Sequence, residues 1–354
     1  MNISPKKAWK TVLLPHLAHV SLAVLLAATL LACSKQPETV SFTGPTMGTQ
    51  YAVKFLPPAA QDINTDALQA HIDEVLAEIN QVMSTYDPNS VLSRFNQYDQ
   101  TDWFAVTPEL VTVIHQAQAL SRLSDGAFDI TVGPLVNLWG FGPDMGSDAI
   151  PSDAAIAKAR DQVGYQQLKL RESPAALSKD RSDLYVDLSA IAKGYAVDRV
   201  AALLDERGIA NYLVEIGGEL RLKGHNARSA SWQIAVEQPD PGGRKVQRIL
   251  AITDCGLATS GDYRNFFIKD GQRYSHILDP RTGRPIEHRL ASVTVLADSA
   301  LAADGRATTL LALGPEDGLA LAQEQGWAAL LLEISAAGEF VERETPAFAE
   351  YLQQ

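Results

Sequence analysis

Val186-Asp187-Leu188-Ser189-Ala190-Ile191-Ala192-Lys193-Gly194-Tyr195-Ala196-Val197-Asp198 sets a polar patch into an otherwise apolar run near the middle of the chain. Its first half predicts an extended segment, Leu184 to Leu188, running into Ser189 as a helix N-cap. Ile191, Tyr195, Val197 and Leu203 then recur at helical spacing, and the helix should end near Arg207-Gly208. A helix start of this kind offers unpaired N–H groups and a partial positive charge to an anion. Lys193 falls in the first turn, where the macrodipole disfavours a cation, so a nearby anion would account for it. An ordinary strand-to-helix junction with a solvated lysine has the same local pattern, and the choice rests on the rest of the chain.

Downstream the pattern turns strand-rich. Tyr212 to Ile216, Glu219 to Lys223, Trp232 to Glu237, Arg248 to Thr253 and Leu257 to Ser260 alternate in hairpin fashion, and Tyr274 to Leu278, Ala291 to Ala297 and Ala328 to Ile334 add further strands. Ser299 to Leu313 and Pro315 to Glu324 read as helices. Upstream, helices are expected over Asp66 to Met83, Val91 to Gln97, Pro108 to about Ser124, and residues 151–163. Gly126 to Gly142, rich in glycine and aromatic residues, suits a pocket wall. The fold class is α+β, with mixed, mostly antiparallel sheets flanked by helices and a cleft between two intimately joined lobes.

The chemistry-bearing residues are few. Asp304 and Thr308 stand four apart in Ala303-Asp304-Gly305-Arg306-Ala307-Thr308, so on a helix the carboxylate and hydroxyl share a face, one turn apart. Both are hard oxygen donors of the kind Mg2+ prefers, although a capping aspartate and a back-bonded threonine would give the same letters. His276 ends a predicted strand in Tyr274-Ser275-His276-Ile277-Leu278-Asp279-Pro280, where it serves either as a proton shuttle or as a structural histidine under the next turn. Glu215-Ile216-Gly217-Gly218-Glu219 reads as a hairpin or a close backbone approach, and Asp262-Tyr263-Arg264-Asn265-Phe266 as a loop beside the same cleft. A Gly-x-Ser-x-Gly elbow, a Walker loop and a Rossmann glycine pattern are all absent.

The N-terminus carries Lys6, Lys7 and Lys10, then an apolar run Val20 to Ala32 ending in Leu30-Leu31-Ala32-Cys33. This is the pattern of a secretory signal over residues 1–32 and is similar to a bacterial lipobox, which implies a lipid on Cys33 and a tether over 33–40. One domain over 41–354 follows, tethered on the periplasmic side of the envelope, at the inner membrane or the outer. The formal charge of −12 becomes three units more negative once the signal is removed, which argues against nucleic acid as a partner. Of the two cysteines only Cys255 then keeps a free thiol, so stability must come from a conventional core.

Taken in order, Gly44-Pro45-Thr46-Met47-Gly48-Thr49, Met83-Ser84-Thr85-Tyr86-Asp87-Pro88-Asn89-Ser90, Gly126-Ala127-Phe128-Asp129-Ile130-Thr131, the opening stretch, Glu215 to Glu219, Thr259-Ser260-Gly261, His276 to Pro280 and Asp304 with Thr308 resemble the ApbE family of periplasmic flavin transferases. The resemblance implies a flavin cleft that binds FAD as substrate, with Mg2+ on its diphosphate. It implies metal contacts from Asp304, Thr308 and the carbonyl of Ala190, and flavin contacts from Met47, Tyr86, Ala127, Phe128, Asp129, Asp187, Lys193 and Ile277. The implied reaction moves FMN from FAD to a threonine or serine hydroxyl of a subunit of an Nqr- or Rnf-type membrane redox complex and releases AMP. Asp304 and His276 are the candidate catalytic residues, His276 as base. An FAD diphosphatase giving FMN and AMP, and a non-catalytic flavin-binding lipoprotein, are the alternatives. Two features depart from the family pattern or leave a choice open. Gly305-Arg306 stands where small or apolar residues are usual, and Asp298, six residues before Asp304, offers a second aspartate for the metal.

Overall fold

The computed structural model describes Met1 and residues 38–59, 62–142, 150–239, 245–262 and 266–352. The expected signal peptide, Cys33 and Tyr263-Arg264-Asn265 lie outside the described residues. The strands are β1 (Val40–Thr46), β2 (Thr49–Phe55), β3 (Phe104–Ala105), β4 (Leu168–Arg171), β5 (Ala176–Lys179), β6 (Tyr212–Ile216), β7 (Glu219–Lys223), β8 (Trp232–Gln238) and β9 (Lys245–Ile252). They continue with β10 (Cys255–Gly261), β11 (Phe266–Lys269), β12 (Gln272–Ser275), β13 (Leu278–Asp279), β14 (Arg284–Pro285), β15 (Leu290–Ala297), β16 (Ala328–Ile334) and β17 (Phe340–Glu344). The helices are α1 (Thr65–Met83), α2 (Val91–Gln97), α3 (Pro108–Leu123), α4 (Gly133–Leu138), α5 (Asp153–Arg160), α6 (Ala192–Glu206), α7 (Ala300–Leu313), α8 (Pro315–Glu324) and α9 (Pro346–Tyr351).

Alternation builds the main sheet. In β2, Tyr51, Val53 and Phe55 are buried while Gln50 and Lys54 are exposed, which gives the strand one covered and one open face. The sheet runs β1-β2-β6-β7-β10-β15-β16-β17, and every neighbouring pair is antiparallel. β15 is buried at all eight positions because both of its faces are covered. On one face lies a core joining α1, α3, α6 and α7 to the sheet; on the other, the β8–β9 hairpin and Phe348 of α9 close a second core around Leu222, Leu257 and Leu330. A third, small cluster holds α4 and α5 against Leu278. The α+β class with helices flanking antiparallel sheets is the one the sequence predicts. Among the described residues no helix is long and apolar enough to cross a membrane.

Local chemistry sets the helix starts. Asn64 caps α1 by accepting from the Ala67 amide at 3.0 Å, and Ser299 caps α7 by accepting from Ala302 at 3.1 Å. Asp198 also caps α7, its two oxygens accepting from the amides of Ala300 and Leu301, each at 2.9 Å. The last residue of the opening stretch thereby ties α6 to a helix a hundred residues downstream.

Three local expectations are corrected. Leu184 to Leu188 is extended but joins no sheet: the Asn96 side chain takes the place of a ladder, accepting from the Val186 amide and donating to its carbonyl, each at 2.8 Å, and the Asp187 amide donates to Ile130 at 2.7 Å. Ser189 is not the N-cap. It lies in a turn, donating its amide and hydroxyl to Asp187, and α6 begins at Ala192 without a side-chain cap. The strand expected over Tyr274 to Leu278 is likewise split, because the Ser275 hydroxyl accepts from the Ile277 amide at 3.1 Å and turns His276 and Ile277 out of line.

Candidate active site

A cleft of about 1070 Å3 opens where α6 and α7 meet the ends of β7 and β10. Asp304 is its most buried charge, 2 % exposed, and its Oδ2 accepts from the Gly194 amide at 2.9 Å. The approach depends on Gly194: a Cβ there would lie 2.4 Å from the Ala300 carbonyl oxygen and 2.8 Å from the Asp304 Cβ. Gly305 also packs closely, though against side-chain ends and not backbone: its Cβ would stand 2.5 Å from the Leu120 Cδ1 of α3. The helix-propensity cost of that glycine is thus offset by close packing of α7. Arg306 turns away from the cleft and lies over the Trp327 ring at 4.9 Å. Asp298 does not line the cleft, and its carbonyl accepts from Arg221.

Lys193 meets an anion of the protein itself. Its Nζ lies 2.6 Å from Oε1 of Glu219, the first residue of β7. Burial works to lower the lysine's pKa, but the charges of Asp304 and Glu219 outweigh it and hold the ammonium above its ordinary range. The Asp304 pKa is raised as well, to about 7: burial, its largest cause, and the Glu219 charge push it up against the pull of Lys193. The other Glu219 oxygen, Oε2, is buried with no hydrogen-bond partner. Thr308 completes the cluster, its hydroxyl 2.9 Å from that of Ser260 at the end of β10. Two carboxyl groups, one ammonium and two hydroxyls therefore converge at one end of the cleft.

Asp187, Ala190, Lys193, Tyr86, Ala127, Phe128, Asp129, His276, Ile277, Asp304 and Thr308 all line this one cleft, although they come from segments more than two hundred residues apart. Met47 does not. It sits at the β1–β2 turn with φ 48° and packs against the helix-side core, while Thr43 and Thr49 of the same hairpin reach the cleft. Asp129 forms wall rather than offering a free carboxylate: Oδ1 accepts from the Thr131 amide and hydroxyl, both at 2.7 Å, and Oδ2 from the Tyr165 amide at 2.9 Å. His276 sits edge-on to Phe141 at 6.3 Å, beside a stack formed by Phe141, Phe267, Tyr274 and Trp139. Tyr86 is largely exposed at the mouth.

Glu219 and Ser260 are site residues to which the sequence alone assigns no role, although both lie in stretches that carry the family resemblance. The available signal was the acid directly after Gly217-Gly218, a turn whose positive φ values of 65° and 112° bring β7 back beside Lys193.

The donor set suits a hard dication. Among the described residues no three His, Cys, Asp or Glu side chains gather as a metal group, so the oxygens available are the Asp304 carboxylate, the Thr308 hydroxyl and main-chain carbonyls such as that of Ala190. The unpartnered Glu219 oxygen adds negative potential at the same place.

Comparison with known proteins agrees with this geometry. A FAD:protein FMN transferase of Vibrio cholerae is 48% identical over 336 residues, covering 95% of this chain and 98% of its own, and one of Haemophilus influenzae is 41% identical over 331 residues, covering 92% and 95%. The solved flavin transferase ApbE from Vibrio cholerae superposes with a TM-score of 0.83 at 46% identity, over 89% of this chain and all of that one. The apo flavinyl transferase ApbE of Pseudomonas stutzeri superposes with 0.81 at 40% identity, over 90% of this chain and 98% of that one. The sequence pattern of the ApbE family matches residues 47–331, and the chain belongs to the ApbE family.

Proposed function

We propose that this protein transfers FMN from FAD to a serine or threonine hydroxyl of an acceptor protein, with Mg2+ bound and AMP released. The observation that carries the reading is the convergence of Asp304, Lys193 and Glu219 with the Thr308–Ser260 hydroxyl pair at the end of a cleft large enough for a dinucleotide. The relatives named above are called FAD:protein FMN transferases, which supports transfer of FMN from FAD to protein.

Asp304, Thr308 and the Ala190 carbonyl would hold Mg2+, which when bound neutralises charge on the diphosphate. The chain's own residues do the rest. Lys193, held by Glu219, places a positive charge beside the phosphate oxygens. Ala127, Phe128 and Tyr86 wall the flavin half. The acceptor oxygen forms a bond to the FMN-side phosphorus, the bond from that phosphorus to the bridging oxygen breaks, and the bridging oxygen leaves with AMP. His276 at the cleft wall accepts the hydroxyl proton. Subunits of Nqr- or Rnf-type redox complexes are the proposed acceptors, met on the periplasmic side by an enzyme held to the membrane through a lipid on Cys33.

The test incubates the enzyme with FAD, Mg2+ and a competent acceptor, and quantifies covalent flavin, AMP and free FMN together. Covalent flavin in step with AMP is expected. Free FMN and AMP formed equally fast without acceptor would instead identify a diphosphatase, and FAD binding with no turnover a carrier.

A further inference from the structure

α6 and α7 are bonded to each other in both directions. The Gly194 amide of α6 donates to Asp304 Oδ2 of α7 at 2.9 Å, and the Ala300 and Leu301 amides of α7 donate to Oδ1 and Oδ2 of Asp198 on α6, each at 2.9 Å. Gly194 and Asp198 stand one turn apart on α6, and Ala300 and Asp304 one turn apart on α7. The two contacts are therefore rungs of one ladder between antiparallel helix segments, spaced roughly 6 Å along the axis. Each helix supplies the carboxylate for the other's main chain. One rung seats Asp304 of the charge cluster; the other, Asp198, does not line the cleft.

Helix capping alone does not account for Asp198. Ser299 already caps α7, its hydroxyl accepting from Ala302 and its carbonyl from Ala303, each at 3.1 Å. Asp198 takes the two first-turn amides that Ser299 leaves, and it does so from another helix. The first residue of α7 is also wedged between two glycines. A Cβ on Gly194 would lie 2.4 Å from the Ala300 carbonyl oxygen, and one on Gly256 of β10 would lie 2.4 Å from the Ala300 amide nitrogen. Just ahead of it, Arg221 of β7 donates to the Asp298 carbonyl. Backbone contact fixes how closely α7 approaches, and the directional bonds to Asp198 fix how far along α6 it begins. Asp304 and Thr308 ride on α7, whereas Ala190 and Lys193 belong to the entry of α6. A slip of α7 by about 1 Å would change the spacing between these two groups, an error that can cost on the order of 100-fold in rate.

We propose that Asp198 is a positioning residue for the dication site. By holding the Ala300 and Leu301 amides it sets the register of α7 on α6, and with it the place of Asp304 and Thr308 relative to Ala190. The inference rests on the Mg2+-dependent reading of the site and gives a role to a residue that the transfer chemistry itself does not use.

Calorimetric titration of Mg2+ into the whole enzyme saturated with FAD, without acceptor, tests this. Asp198→Asn keeps one acceptor and Asp198→Ala neither. Mg2+ affinity is expected to fall about tenfold in the first and further in the second, as when residues behind a metal ligand are lost, while FAD affinity without metal stays within about twofold of the parent. Ser299→Ala is the control. It removes the helix's own cap and lowers thermal stability, but Mg2+ affinity should stay within about twofold because the tie to α6 is intact. Unchanged Mg2+ affinity in Asp198→Asn overturns the proposal, and so does an equal loss in Ser299→Ala, which would reduce Asp198 to a second cap. Asp198→Asn is decisive if Asp198→Ala does not fold. A parent enzyme that binds no Mg2+ overturns the metal reading itself, so the parent alone tells the two failures apart.

Discussion

Lys193 and Glu219 form an ion pair with Nζ and Oε1 2.6 Å apart, joining the first turn of α6 to the first residue of β7 at the base of the cleft. The lysine side chain is 28 % exposed and the glutamate 6 %, so the pair lies between the exposed and buried limits. Lys193→Met leaves Glu219 and Asp304 without their cation and is expected to cost about 2 kcal/mol, between roughly 0–1 for exposed and 3–5 for buried pairs. The double variant Lys193→Met with Glu219→Gln should recover about half of that loss in urea denaturation, because neither partner is then left unpaired. FAD affinity, read by calorimetry, should fall in both.

Asp304→Asn keeps an oxygen for the Gly194 amide and removes the buried charge. Transfer is expected to fall on the order of 100-fold or more, with a raised Mg2+ requirement and an unchanged circular dichroism spectrum. Chelation of divalent metal should abolish turnover of the parent enzyme and restore it on adding Mg2+.

Gly194→Ala drives a methyl group into the Ala300 carbonyl, 2.4 Å away. Backbone on one side and Asp304 on the other leave it nowhere to go, so α6 and α7 must separate. A loss of about 1–3 kcal/mol in thermal unfolding is expected, together with lowered activity, since the contact spread apart is the one that orients Asp304.

Lys179 is 1 % exposed, and its ammonium donates to the carbonyls of Phe95, Asn96 and Leu184 at 3.1, 3.2 and 3.3 Å. Burial lowers its pKa, the nearby aspartates only partly opposing this. Lys179→Met abandons three buried acceptors and should destabilise by about 2–4 kcal/mol in urea, less than three separate losses because the desolvation of the charge is also relieved. Leu184 begins the segment that carries Asp187, so the apparent KM for FAD should rise as well.

His288 gives a pH dependence. Burial is the main cause that pushes its imidazole below the ordinary range, and its Nδ1 accepts from the Leu290 amide at 3.3 Å, as a neutral ring does. Its Nε2 is buried without a partner. The unfolded chain takes up this proton near pH 6.5 and the folded chain only at lower pH, so stability rises with pH across that window. Stability should be full above about pH 6.5 and decline as pH falls below it, and His288→Asn should flatten the decline in pH-resolved thermal unfolding.

Elements with strong periodicity were legible. Tyr212 to Ile216, Glu219 to Lys223, Ala328 to Ile334 and Pro315 to Glu324 occur at the boundaries read from alternation, helical spacing and proline at a helix start. The segment before α6 was misread because its hydrogen bonds go to Asn96 and Ile130, partners far off in the chain, rather than to a neighbouring strand. The helix cap was misread because Ser189 has a closer acceptor in Asp187. Lys193 in a helix's first turn called for an anion, and the nearest one is Glu219, supplied by the fold itself.

The order of motifs along the chain determined the family, and with it the α+β class, because those signals are local and each survives without knowledge of its neighbours. Which atoms face one another was decided only by the tertiary structure. Gly194 and Gly305 read as weak helix residues until α6, α3 and α7 are packed, when they become the contacts that seat Asp304. The opening stretch announced an anion site; close packing of two helices, and a glycine turn returning β7 to the cleft, assigned the charges within it.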